Sequence, residues 1–376
     1  VENMAGLGEK EGAIKVGTDI FAEDMAEIAL RFGQNERFAD KTVVITGCAG
    51  FLGFYLSHYF ARLADHGLAP RRLVLLDRFP AGKPGWLAQL QDRHPFVTAA
   101  AYDVARSDER SAAELAEAHY IIHMASIASP IQYRQYPLET IEANVWGFRR
   151  LLDAGRQSLS LEGLLYFSSS EIYGDPETEF IPTPESYCGH VATMGPRACY
   201  DESKRLGETL GYVYHEQFGV PVRIVRPFNN YGPGMSLQDG RVPADFARSV
   251  LRGEPLVIHS DGSPTRTFCY ITDAIVGYLK VLVHSAFDCF NIGMDKPEIS
   301  IAGLAEIYRE AGARRFGYAG EVRYVPASDE RYLIDSPMRR CPDLRRARVL
   351  LGYDPVVTLE SGVDRFLAYL QKAGSL

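Results

Sequence analysis

No apolar run in this sequence is long enough to cross a bilayer, which takes ~20 consecutive nonpolar residues. Nor is there a surplus of basic charge: 40 Lys and Arg stand against 48 Asp and Glu, a net charge of −8. That balance argues against a broad nucleic-acid-binding face, so any anionic ligand must be met by a few arginines gathered locally. Cysteine is sparse and unpatterned. Cys48, Cys188, Cys199, Cys269, Cys289 and Cys341 form no C-x-x-C pair and no Cys/His cluster of zinc spacing, so no metal site is expected. The only tryptophans, Trp86 and Trp146, read as packing residues. The first residues include Glu2, Glu9, Lys10 and Glu11 without an apolar core, unlike a secretory signal. The expectation is a cytoplasmic protein with reduced thiols.

What the chain does have is a globular composition, 46% hydrophobic and 23% charged. Residues 1–37 stand apart. There Thr18-Asp19 can cap a helix whose Phe21, Met25, Ile28 and Phe32 share a face, with Glu23, Asp24 and Glu27 on the polar side. Those carboxylates disfavour an anionic membrane surface, so the helix is expected to dock on the main body or on a partner subunit. From Lys41 short apolar runs alternate with amphipathic stretches. Strands are expected at Thr42–Thr46, Leu73–Leu76, Tyr120–His123, Leu164–Ser168 and Val222–Arg226. Helices are expected at Phe51–Leu63, Leu138–Leu152 and Tyr200–Phe218. This rhythm predicts an α/β fold, a doubly wound parallel sheet covered on both faces. After Pro227 Gly, Pro and Asp clusters interrupt it before helices near Ile301–Ala311 and Leu359–Leu370, which predicts a smaller, less regular C-terminal lobe. The expected division is an extension (1–37), a dinucleotide-binding domain (38–231, with a return segment about 268–294) and a substrate lobe (232–267 and 295–376).

Gly47, Gly50 and Gly53 lie between the first strand and the first helix of that sheet. There the first glycine permits a sharp turn, the second lets a pyrophosphate approach, and the third lets helix pack on strand. The helix N-terminus offers free N–H groups to phosphate. The spacing is G-x-x-G-x-x-G, a variant of the usual fingerprint. Asp77, closing the second strand, can accept hydrogen bonds from an adenosine ribose and would repel a 2′-phosphate, which favours NAD over NADP. Arg78 beside it could instead pair with such a phosphate. Asp103 falls where a third strand would end, either facing an adenine or serving as a turn residue.

Tyr200 and Lys204 are spaced to share one helix face. A phenol ionises near about 10, and a neighbouring cation lowers that value. Upstream, a strand ends in Ser168-Ser169-Ser170-Glu171. With the glycine turn, these residues resemble the extended short-chain dehydrogenase/reductase family and its Rossmann fold. Within that family the chain looks most like the UDP-glucuronic acid decarboxylases, over roughly Lys41–Leu370. Ser168–Pro176, Gly195–Arg205, Asp239–Val242 and Thr265–Tyr270 carry the likeness, with a weaker echo at Asp335–Asp343.

The resemblance implies NAD as cofactor, a nucleotide-linked uronic acid as substrate and a homodimer. It implies that Tyr200 as phenolate takes the proton of the sugar C4 hydroxyl while NAD takes the C4 hydride. The 4-ketone then lies β to the C6 carboxylate and accepts the electrons released with carbon dioxide. Ser169 would hold the C4 oxygen, Glu171 with Ser170 would handle the C5 proton, and Arg266 would face the carboxylate. By the same resemblance Gly47, Gly50, Phe51, Leu52, Gly53, Asp77, Arg78, Asp103, Val104, Ala125, Ser126, Asn144, Ser168, Tyr200 and Lys204 line the cofactor. Pro130, Tyr133, Glu171, Asn229, Arg241 and Arg266 line the substrate. Asp239-Gly240 would turn the chain to present Arg241 to phosphate. Arg339-Arg340 reads as surface or lobe-joining, and His123 as a packed strand-end residue.

The chain departs from the decarboxylase pattern in places. Ser169 stands where Thr is usual, and the arginine expected after Gly-Pro is missing from Tyr231-Gly232-Pro233-Gly234-Met235. Asn229-Asn230 looks more like a hexose 4,6-dehydratase than the usual Asn-Thr, and Leu256–Ser260 differs near the base pocket, so UDP and TDP both stay open. A nucleotide-sugar 4,6-dehydratase usually has Asp before its Glu to protonate a leaving hydroxide. Ser170 cannot do this, although a dehydratase branch acting on GDP-mannose also has Ser there. A 4-epimerase would have no use for Glu171. An NAD-binding sensor of the same fold should have lost Tyr200, Lys204, Ser169 or Glu171, and all four stand.

Overall fold

The computed structural model describes residues 19–106, 114–326, 334 and 337–373. Seven strands form its main sheet: β1 Thr42–Thr46, β2 Arg72–Asp77, β3 Val97–Ala101, β4 Tyr120–His123, β5 Gly163–Phe167, β6 Val222–Pro227 and β7 Cys289–Ile292. Their order is 3-2-1-4-5-6-7, and every neighbouring pair is parallel. Parallel strands need crossovers on both faces, which is why β1, β4 and β5 are buried at every position. Successive side chains divide between two cores. Val43 and Ile45 face one, with helices α2 (Phe51–Arg62) and α6 (Ile271–Leu282). Val44 faces the other, with α3 (Phe148–Gln157) and α4 (Ala198–Phe218). β3 and β7 lie outside the runs marked in the sequence, because β3 is half exposed and β7 has only four residues. The strand order reverses between β1 and β4, where such sheets open a ligand crevice.

The helix expected over Leu138–Leu152 is interrupted. A short helix, Pro137–Ile141, gives way to a π-helical turn, Glu142–Gly147, before α3 begins. Such turns often mark functional sites. This one seats Gly147 under Val104, where a Cβ would fall 2.7 Å from a valine methyl.

The N-terminal helix α1 (Ile20–Phe32) docks on the main body, against α2, α6 and the last helix, α8 (Leu359–Lys372). Asp19 caps it, accepting from the Ala22 amide at 3.4 Å, while Thr18 lies outside the described residues. Asp24, expected on the polar face, is instead fully buried. The helix is enclosed there, and a buried carboxylate must be bonded. Asp24 accepts from Tyr55 Oη (2.6 Å), Tyr270 Oη (2.9 Å) and Arg365 (2.5 Å).

Beyond β6, Thr265–Arg266 pairs antiparallel with Ile299–Ser300 and parallel with Arg339–Arg340, making a small three-stranded sheet. Helices α5 (Val242–Arg252) and α7 (Ile301–Phe316) complete the labelled set. Trp86 packs on Phe54 and His58, but Trp146, also expected to pack, is 52% exposed. Among the described residues no helix is long and apolar enough to cross a membrane, and no side-chain cluster could hold a metal ion.

Candidate active site

The glycine turn is demanded partly by the protein and partly by something else. Gly47 has φ +77°, and a Cβ there would fall 2.7 Å from the Ala125 amide nitrogen. A Cβ on Gly53 would fall 2.4 Å from the Cys48 carbonyl. Gly50 meets nothing closer than 3.4 Å, and as N-cap of α2 it provides no side-chain cap. The open space before Phe51 and Leu52, with an uncapped helix N-terminus, fits a phosphate. Asp77 fastens the turn, accepting from the amides of Ala49 (3.0 Å) and Phe79 (2.9 Å), and its oxygens keep lone pairs for ribose hydroxyls. Asp103 bonds the Ala105 amide at 2.9 Å and lies 3.9 Å from Arg78, so Arg78 faces a carboxylate. The hydroxyls of Ser126 and Ser168, just beyond β4 and β5, are buried without partners, as groups awaiting a ligand would be. These features fit a dinucleotide. Asn144 is fully buried in the π turn and donates to Ser203 Oγ (2.9 Å), which bonds the Tyr200 carbonyl (3.0 Å). It thus ties the turn to α4. His123 is packed, with Nδ1 2.8 Å from Thr46 Oγ1 and its ring stacked on Phe148.

At the end of β5 the chain enters a 3-10 turn, Ser170–Tyr173, capped by Ser169, whose hydroxyl accepts from the Glu171 amide at 3.2 Å. The Ser169 hydroxyl also lies close enough to the phenol of Tyr200 to favour its ionised form. Tyr200 is buried and stacks on Tyr133, ring centroids 5.0 Å apart, and the Tyr133 hydroxyl is buried without a partner. Lys204 Nζ donates to the Phe167 carbonyl at 2.7 Å and sits 5.7 Å from the centre of the Tyr200 ring. The lowering of the phenol expected from this lysine is not found. Burial pushes Tyr200 up to about 12, with Ser169 and then Arg241 opposing it. Burial also drives Lys204 down to about 7. A dry pocket disfavours the charged form of each.

Glu171 receives guanidinium hydrogen bonds from Arg197 and from Arg340, the latter at 3.0 Å. Arg340 also bonds the Ser170 and Gly174 carbonyls and is 2% exposed, which overturns the surface alternative and leaves the joining one. The cause is strand alternation: Arg339 points outward to Glu298 (2.6 Å), so its neighbour points in. Burial alone would raise the Glu171 carboxyl, but Arg340, Arg197 and Arg266 together hold it below the usual carboxylate range. Arg266 donates to the carbonyls of Pro337 (2.6 Å), Met338 (3.1 Å) and Thr265 (2.8 Å). Its own pKa is lowered to about 10 by burial and by Arg340. Arg197 and Arg340 carried no site role in the sequence reading. Arg197 was visible only as part of the matched Gly195–Arg205 stretch.

Pro130, Glu171, Arg197, Asn229, Arg241 and Arg266 share the wall of one cavity of about 220 Å³. Arg241 is paired with Asp239 (2.8 Å), and Asn229 donates to the Thr267 carbonyl (2.9 Å). Val257 and His259, from the stretch expected near the base, also line it. Tyr133, expected to line the substrate, does not line this cavity, nor do Ser169 and Tyr200; Arg197 does, and its guanidinium is 5.8 Å from the Tyr133 ring centre.

Comparison with known proteins gives the family. UDP-glucuronic acid decarboxylase 1 of Xenopus tropicalis is 35% identical over 332 residues, 88% of this chain and 72% of that protein. UDP-glucuronic acid decarboxylase 3 of Arabidopsis thaliana is 35% identical over 88% of this chain and 90% of that protein. Among solved structures, the UDP-glucuronic acid 4-epimerase of Bacillus cereus, in complex with UDP-glucuronic acid and NAD, has a TM-score of 0.73 at 23% identity, covering 88% of this chain and 99% of that one. A dTDP-glucose 4,6-dehydratase of Streptomyces venezuelae with NAD bound reaches 0.75 at 23% identity, covering 89% and 98%. These two likenesses speak to the fold. The sequence profile of the NAD dependent epimerase/dehydratase family matches residues 43–293, and the chain belongs to that family.

Proposed function

We propose that this protein is an NAD-dependent decarboxylase of UDP-glucuronate, working through a 4-keto sugar to give UDP-xylose or the UDP-4-keto-pentose. The observation that carries this reading is the arginine wall. Arg197, Arg266 and Arg340 converge on one carboxylate, Glu171, beside the Ser169–Tyr200 pair. Asp201 also pairs with Arg197 at 3.7 Å, so the cation best placed for a substrate carboxylate is Arg266, which lines the cavity and spends its hydrogen bonds on carbonyl oxygens; a neutral hydroxymethyl group would not use that charge.

NAD, when bound, supplies the hydride acceptor that creates the 4-ketone. Tyr200 removes the proton of the C4 hydroxyl, and Ser169 holds the same oxygen. Arg197 and Arg266, which line the cavity, hold the C6 carboxylate until carbon dioxide leaves, and Arg340 holds Glu171. Held ionised, Glu171 does not itself carry the proton for C5; it orients a water or the Ser170 hydroxyl that delivers it. An epimerase named for the same uronate shares the fold; the wall supports a uronate substrate, and Glu171 at its centre supports decarboxylation over epimerisation. Dehydration is less supported, because Ser170 offers no acid for a leaving hydroxide.

A homodimer is part of this proposal. Leu138, Trp146, Leu206 and Tyr212 are exposed on the neighbouring Pro137–Gln157 and α4 segments, and an isologous pairing of these helices would cover them. Unpaired cysteines support a reducing compartment.

The test is to incubate the protein with NAD and UDP-glucuronate and resolve the products by mass. A product lacking carbon dioxide is expected. Unchanged uronate, alongside conversion of a UDP-hexose, would transfer the reading to a dehydratase.

A further inference from the structure

We infer that the N-terminal helix α1 is a positioning element for the loop that carries Arg241, acting through the ring of Phe54. The inference rests on the proposed reading of Arg241 as a contact to the substrate's phosphates.

Phe54 lies in the first turn of α2, directly after the cofactor glycines. On one side it meets α1: the Phe21 ring is 4.9 Å from Phe54, 5.4 Å from Tyr55 and 5.0 Å from His58. On another side it meets Gly234, where a Cβ would fall 2.6 Å from Phe54 Cδ1 and φ is +83°. This is the position at which the chain lacks the arginine expected after Gly-Pro. No side chain fits there unless Phe54 moves, so the loop is seated on an aromatic ring where an arginine was expected.

From Gly234 the chain runs through buried Met235 and half-buried Leu237, turns at Asp239-Gly240, and delivers Arg241 as N-cap of α5. Two other bonds hold the loop: Arg248 to the Leu237 carbonyl (2.7 Å) and Ser129 to the Asp239 carbonyl (3.1 Å). Phe54 supports it from the cofactor side. Trp86, 5.3 Å away, flanks Phe54, and Phe21 backs it. The backing is firm because α1 is pinned by Asp24 to Arg365 (2.5 Å) and by Arg31 to Asp273 (2.6 Å). One ring therefore touches the cofactor helix, the N-terminal helix and the substrate loop.

The test uses the full chain with saturating NAD. Phe21→Ala removes the backing ring but leaves the Asp24 and Arg31 pairs, so α1 stays docked. The Kd for UDP by calorimetry and the KM for UDP-glucuronate should both rise about five- to tenfold, with kcat held within about twofold. Phe21→Leu should restore most of the affinity, and Leu30→Ala, on the exposed side of the same helix, should change neither constant. Should Phe21→Ala fail to fold, Phe54→Leu is read by the same measurements. Unchanged UDP affinity, or a loss confined to kcat, overturns the inference. A parent protein that binds no UDP at all overturns the nucleotide-sugar reading itself, a result visible before any variant is made.

Discussion

Tyr200 and Lys204 occupy a pocket that disfavours charge on both. Burial pushes the phenol up to about 12, so the protein alone does not make it a phenolate at neutral pH. Cationic charge arriving beside it is what would lower that value. Adding NAD should therefore increase tyrosinate absorbance near pH 9, an increase absent from Tyr200→Phe, whose turnover should fall by about 10³-fold. The lysine gives a stability signature. Its ordinary value is 10.5 and the folded value about 7, so the folded state sheds the proton first and gains stability as pH rises from 7 toward 10.5. Lys204→Met should be more stable than the parent at pH 7 by about 2 kcal/mol, lose that slope in urea melts, and lose activity by about 10²-fold or more. A variant less stable than its parent would show that the amine is not strained by burial. Arg340 opposes the burial of Glu171 most strongly. In Arg340→Met the acidic limb of the kcat/KM profile should move upward by about one pH unit. An unmoved limb would dissociate Glu171 from the pH dependence.

Among the elements, the first strand, the glycine turn and α2 were legible because their signal is local: Gly47, Gly50 and Gly53 fall within one strand–turn–helix unit. Helix α1 was legible as a helix and its apolar face was right, yet Asp24 was assigned to solvent. Its partners Tyr270 and Arg365 are 246 and 341 residues away, so no local pattern could announce them. The consequence is measurable. Burial raises the Asp24 carboxyl from 3.8 to about 6, against the pull of Arg365. The folded state therefore keeps a proton that the unfolded chain has lost, and the stability this contributes near pH 4 fades as pH rises through 6. Asp24→Asn should remove a decline of about 2 kcal/mol between those values while matching the parent at pH 7 within about 1 kcal/mol. Urea midpoints at both pH values decide it: an equally steep decline in the variant would assign the effect elsewhere.

Across the whole molecule, the doubly wound sheet was readable from the alternation of apolar runs, whereas of the arginine wall only Arg266 was named as a site residue and Arg197 and Arg340 were not. Arg340 reaches Glu171 across 169 residues of chain, through a two-residue strand whose alternation shows only once its pairing with Thr265–Arg266 is known. Trp146 is the complementary case. A sequence cannot say whether a tryptophan packs within its own chain or waits for another, and this one lies exposed near Leu138 on a helical segment packed against α4. Those side chains are too apolar to leave in water without reason, and helix pairs of this length form interfaces by isologous packing. Replacing Leu138 with Glu would place a charge at the centre of such an interface, where an unpaired buried charge costs several kcal/mol. The Leu138→Glu variant should sediment as a monomer where the parent sediments as a dimer. Since Asn144 and Ser203 link this surface to Tyr200, its kcat should also fall, by about threefold to tenfold. A parent that is itself monomeric at micromolar concentration would remove the dimer from the proposal and leave Trp146 as an exposed residue without a partner.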